Sequence, residues 1–103
     1  MRKIDRQVSE AVHQALNFKG GNTVVSTNAD NISEVRFHGN LIARVGETWA
    51  QLFDGGQQSK TVKSRLNAII CVWGDHLFQK GGVWFIETSK GETIPFRSGM
   101  LME

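Results

Sequence analysis

A chain of 103 residues, 40% hydrophobic and 21% charged, carries enough apolar material for one domain over 1–103 with a single core and no staples. Its formal net charge of +2 and pI near 9.0 argue against a dedicated nucleic-acid coat protein yet permit a local basic patch. No apolar run is long enough to cross a membrane, Met1-Arg2-Lys3 leads into an amphipathic segment unlike a signal peptide, and the single Cys71 has no disulfide partner, which together point to a reducing cytoplasm.

Ile4, Val8, Ala11, Val12, Ala15 and Leu16 recur at helical spacing and predict a first amphipathic helix from about Lys3 to Phe18, closed by Gly20-Gly21. Asn22 to Thr27 is a β-branched run, followed by turn composition at Asn28-Ala29-Asp30-Asn31. Three more strands are predicted at Ile32–Phe37, Leu41–Val45 and Thr48–Phe53, joined by His38-Gly39-Asn40 and Gly46-Glu47 into an antiparallel meander.

Register decides which side chains face inward. A loop of about three residues at His38-Gly39-Asn40 sets Phe37 opposite Leu41. Val35, Phe37, Leu41, Ala43, Val45, Ala50 and Leu52 then share the core face. The other face carries Arg36, Ile42, Arg44, Trp49, Gln51 and Phe53. Arginines beside aromatics on an open sheet are a known way to hold single-stranded nucleic acid, so Arg36 and Arg44 become candidate phosphate contacts, and Trp49 and Phe53 candidate aromatic contacts.

The clearest helix runs through Ser59–Trp73. Val62, Leu66, Ile69, Ile70 and Trp73 fall on one face, with Val72 at its edge, and Lys60, Lys63, Ser64 and Asn67 fall opposite. Ser59 suits the N-cap and Gly74 the left-handed exit. Lys60, Lys63 and Arg65 crowd the first two turns, where the macrodipole disfavours cations. An anion docked there would meet free N–H groups and three cations, so Ser59, Lys60, Lys63, Arg65 and Asn67 form the leading candidate anion or nucleic-acid site. Gln at Lys60, Lys63 and Arg65 is expected to leave the fold intact and abolish that binding.

Leu77–Lys80, Val83–Thr88 and Thr93–Phe96 form a second meander turned at Gly81-Gly82 and Ser89-Lys90-Gly91-Glu92. Pro95 places the last strand at an edge, and the apolar run Val83-Trp84-Phe85-Ile86 reads as buried on both faces. The Met100-Leu101-Met102 tail either docks on the body or favours a homodimer. The predicted class is α+β in the order α-β4-α-β3, with no internal repeat visible.

Catalytic chemistry is not expected. Asp54-Gly55-Gly56-Gln57-Gln58-Ser59-Lys60-Thr61 lacks the glycines of a phosphate-cradling loop. His13, His38 and His76 have no partner at metal-ligand spacing, and Asp75-His76 reads as a helix exit without a nucleophile. No cofactor and no metal is expected.

Phe37-His38-Gly39-Asn40-Leu41-Ile42-Ala43 and Thr61-Val62-Lys63-Ser64-Arg65-Leu66-Asn67-Ala68-Ile69 resemble the most recognisable stretches of small proteins encoded in bacteriophage and prophage genomes. There a strand–turn–strand of the HGN-L-IA type precedes a T-x-K-S-R-L-N-A helix start. The resemblance spans Val35 to Ile70 and implies expression in a bacterial host cytoplasm. It carries over no activity and no site residue. Three expectations remain in order: a nucleic-acid or anion binder, a protein inhibitor of host machinery, and an enzyme accessory subunit.

Overall fold

The computed structural model describes residues 2–103. Its elements run α1 (Lys3–His13), β1 (Phe18–Gly20), β2 (Thr23–Thr27), β3 (Ser33–Phe37), β4 (Asn40–Val45), β5 (Ala50–Leu52), α2 (Lys60–Ile70), a 3-10 turn (Cys71–Trp73), β6 (His76–Lys80), β7 (Val83–Glu87), β8 (Thr93–Pro95) and β9 (Met100–Met102). The α+β class and the order of helix, strands, helix, strands are those predicted, with β1 and β9 added. Helix α1 is shorter than expected. Ala15 enters the left-handed region at φ 54°, Leu16 donates back to the Ala11 carbonyl, and Phe18–Gly20 leave the helix to pair with β2. Gly20-Gly21 therefore belong to a hairpin and not to a helix end. Helix α2 begins at its predicted cap, where the Ser59 hydroxyl accepts from the Val62 N–H, and the chain leaves the 3-10 turn through Gly74 at φ 82°.

Five strands of the first block and β9 make one antiparallel sheet in the order β1-β2-β3-β4-β5-β9. One row crosses all six strands: Phe18, Val25, Val35, Ala43, Leu52 and Met100. The parallel row Thr27, Ser33, Val45, Ala50 and Met102 lies on the same face. Both rows are covered by the apolar stripes of α1 (Val8, Ala11, Val12) and α2 (Val62, Leu66, Ile69, Ile70), and their apolar members join one core. The C-terminal tail is thus docked as the last strand of the sheet.

The turn between β3 and β4 is tighter than predicted. Phe37 pairs with Asn40, so His38-Gly39 alone make the turn, both at positive φ (51° and 79°), the backbone that matches strand twist in two-residue hairpins. A tight turn would put the β4 side chains on the wrong faces. A bulge corrects it: the pairing jumps from Val35↔Ala43 to Arg36↔Leu41, leaving Ile42 unpaired. Ile42 consequently enters the core and Leu41 turns outward, the reverse of the expected assignment.

Strands β6, β7 and β8 form a separate sheet beside α2, with the Pro95 strand at its edge as predicted. Its ladder repeats that of β1-β2-β3 shifted by sixty positions: Phe18↔Val25 becomes Phe78↔Phe85, and Thr27↔Ser33 becomes Glu87↔Thr93. The long turns match too, since Asn28 Oδ1 accepts from the Ile32 N–H and Thr88 Oγ1 from the Glu92 N–H. From Phe18 to Ile42 only Phe18/Phe78, Gly21/Gly81, Gly39/Gly99 and Leu41/Leu101 are identical at that offset, which is why the sequence shows no repeat. The two copies bury opposite faces. Val25 and Val35 point into the core in the first, whereas Trp84, Ile86, Leu77 and Phe96 do so in the second. The run Val83–Ile86 is accordingly buried on one face only, with Val83 52% exposed.

Candidate anion-binding surface

The basic start of α2 is largely committed to the fold. Arg65 is 3% exposed and forms a buried ion pair with Asp5 of α1, itself 1% exposed. Its Nε also donates to Thr23 Oγ1 at 3.1 Å, and the Ser64 hydroxyl donates to the second Asp5 oxygen. Three elements meet on that carboxylate and guanidinium. Two charges leave water only when geometry and hydrogen bonds compensate, so Arg65 is a structural tie and presents no face to an external anion. Gln at this position would leave the Asp5 carboxylate buried without its ion-pair partner.

Asn67 is equally occupied. Its side-chain amide accepts from the Leu77 N–H at 2.7 Å and donates to the Leu77 carbonyl at 2.8 Å, taking the place of a neighbouring strand along the edge of β6. The Ser59 oxygen is spent on the cap. Lys60 remains exposed and Lys63 half-buried. Of the five residues proposed at the helix start, the fold leaves the two lysines facing outward.

Arg36 and Arg44 stand elsewhere, on the face of the six-stranded sheet opposite the helices. Alternation places Lys19, Val24, Arg36 and Leu41 in one outer row and Ser26, Glu34, Arg44, Gln51 and Leu101 in the next. Arg36 Nη1 donates to Glu34 Oε1 at 3.1 Å, while Arg44 Nε lies 3.4 Å from Glu34 Oε2. That Nε is the one buried side-chain polar atom among the described residues with no hydrogen-bond partner. One carboxylate thus serves two guanidiniums whose side chains stay 41% and 39% exposed. With Lys19 also outward, the face holds three cations against one carboxylate.

The aromatic residues expected there flank β5 (Ala50–Leu52), one at each end. Trp49 lies in the loop between β4 and β5, where its indole folds over Gly46 so closely that any side chain at Gly46 would collide with it. Phe53 lies beyond β5, donating its N–H to the Ile42 carbonyl, with its ring against Gly99.

Sequence reasoning missed Lys19 and Glu34. The predicted helix runs to Phe18 with its exit at Gly20-Gly21, so the strand Phe18–Gly20 that carries Lys19 is not anticipated, nor is Glu34 as the counter-ion of Arg36. Period-two alternation through Glu34-Val35-Arg36 was the available signal. Among the described residues no group of three or more His, Cys, Asp or Glu side chains could hold a metal ion, and no helix is long and apolar enough to cross a membrane. Cys71 is exposed and free.

The family model described as "Kyanoviridae Gp96 protein" matches residues 1–103. No curated protein and no solved structure matches the chain.

Proposed function

The chain belongs to the Kyanoviridae Gp96 family, a bacteriophage protein family, and on that premise we propose that it is a small non-enzymatic binding protein engaging an anionic partner, nucleic acid first, through the outer face of the six-stranded sheet. It acts in the cytoplasm of the bacterial host. The observation that carries this reading is the Arg36–Glu34–Arg44 arrangement. Two guanidiniums share one carboxylate on the face of the sheet opposite α1 and α2. Remaining guanidinium N–H groups can donate to phosphate oxygens in pairs, and Lys19 adds a third cation in the adjoining row. Contacts of this kind position a phosphate backbone and carry no base sequence.

The test is fluorescence anisotropy of labelled DNA and RNA at two salt concentrations. With about three phosphate contacts, the slope of log K against log salt should be roughly −2 to −3. Replacing Arg36 and Arg44 by Gln should weaken binding uniformly across sequences while leaving thermal stability nearly unchanged. Absence of binding at low salt, or identical affinity in the folded double variant, would refute the reading.

A second reading has its own support. Leu101 (54% exposed), Val24 (37%) and Leu41 share the arginine face, and arginines among exposed apolar side chains are also the composition of protein interfaces. A host protein inhibited through this face would bind with little salt dependence, and Leu101→Asp would disrupt it where the Gln pair would not.

A further inference from the structure

The smaller sheet has an outward face of its own. Because the second copy of the meander buries the side occupied by Trp84, Ile86 and Phe96, the opposite side is left without a helix. Three rows cross it. Phe78, Phe85 and Pro95 form the middle row; His76, Glu87 and Thr93 flank it on one side; Lys80 and Val83 flank it on the other. Arg97, exposed two residues past Pro95, continues the alternation toward that last row. The rings are aligned. His76 and Phe78 stack at 6.3 Å with planes 10° apart, and Phe78 and Phe85 at 5.7 Å with planes 25° apart. Phe78 and Phe85 are only half-buried and lie outside the core, which includes Trp84 and Ile86 from the same strand.

Exposed stacked rings on a sheet cost free energy unless something covers them. In the first copy the equivalent positions, Phe18, Val25 and Val35, lie beneath α1. Here no helix among the described residues takes that role.

We propose that the Phe78–Phe85 row is a stacking platform for the unpaired bases of single-stranded DNA, with Lys80 and Arg97 holding its phosphates. The spacing suits this partner. Residues two apart on a strand are separated by about 6.5–7 Å, the scale of the step from a base to its own phosphate. Adjacent strands present neighbouring rings at a separation that two successive bases can match. Cations on one flank of an aromatic row match a chain with phosphates along one side and bases along the other. Glu87 and His76 on the far flank meet the base edges, where a carboxylate accepts from exocyclic amino groups. This inference is independent of the arginine face.

The experiment uses the full chain and fluorescein-labelled 12-residue single-stranded DNA, its duplex, the RNA of equal sequence, and inorganic polyphosphate as competitor. Variants are Phe78→Leu, Phe85→Leu, Lys80→Gln with Arg97→Gln, and the Arg36/Arg44 Gln pair, each checked for folding by circular dichroism. Leucine keeps the apolar cover and removes the ring, so folding is retained. The expected result is single-stranded DNA bound at least tenfold better than duplex, with each Phe→Leu change weakening it roughly tenfold and leaving polyphosphate competition at Arg36 and Arg44 intact. Unchanged affinity in folded Phe78→Leu and Phe85→Leu, equal binding of duplex, or tenfold tighter binding of the RNA would overturn it. Loss in the Arg36/Arg44 variant alone would sink this platform while sustaining the arginine face. Loss in the Phe variants alone would do the reverse.

Discussion

Truncating Arg65 to Ala should be the most damaging single change on α2. The guanidinium pairs with Asp5 inside the protein, at 3% and 1% exposure, and donates to Thr23 as well. Breaking a buried pair from one side leaves the other charge desolvated and unpaired, which costs about 3–5 kcal/mol. Against a total stability of roughly 5–15 kcal/mol for a domain, that is a large share. With a urea slope of about 2 kcal/mol/M, the midpoint should fall by roughly 1.5–2.5 M. Lys60→Gln and Lys63→Gln, five and two residues earlier, should each shift stability by less than about 0.5 kcal/mol. Removing cations from a helix start favours the helix by a few tenths of a kcal/mol. The double replacement Asp5→Leu with Arg65→Met tests the mechanism, because an apolar pair of similar volume should recover most of the loss. Urea titrations followed by Trp fluorescence measure all four. A midpoint within about 0.3 M of the parent for Arg65→Ala would refute the argument that this pair ties the helices together.

Three further outcomes follow from single contacts. Ser59→Ala removes the oxygen that accepts from Val62 and should lower stability by about 1 kcal/mol, seen as a lower thermal midpoint. Asn67→Ala leaves the N–H and carbonyl of Leu77 without their partner and should cost about 1–3 kcal/mol, with faster amide exchange at Leu77 as its local signature. Gly46→Ala drives a methyl into the Trp49 indole and should cost about 1–3 kcal/mol, accompanied by a shifted tryptophan emission.

The α+β class, both helix starts, the Ser59 cap, the Gly74 exit and the edge position of Pro95 were legible because each rests on local chemistry: apolar period, a capping oxygen, a positive-φ residue, a missing N–H. Lys60, Lys63 and Arg65 show where legibility stopped. On a helix wheel they look like one cluster, yet Asp5, sixty residues earlier in the chain, claims only the last of them. Asn67 read as a polar surface residue until β6 folded back to meet its amide.

By itself, then, the sequence determined where both helices start and that β2 to β8 are extended, since those choices depend on neighbours within a turn or two, whereas Phe18–Gly20 and Met100–Met102 became strands only through the partners they met. Only the tertiary structure decided which face each strand buries. The bulge at Ile42 exchanged it with Leu41, and the second meander turned over relative to the first with its register unchanged. A strand's two faces differ by one residue, and the choice between them belongs to whatever helix arrives to cover one. That choice set Arg36 and Arg44 on one open face and Phe78 and Phe85 on another.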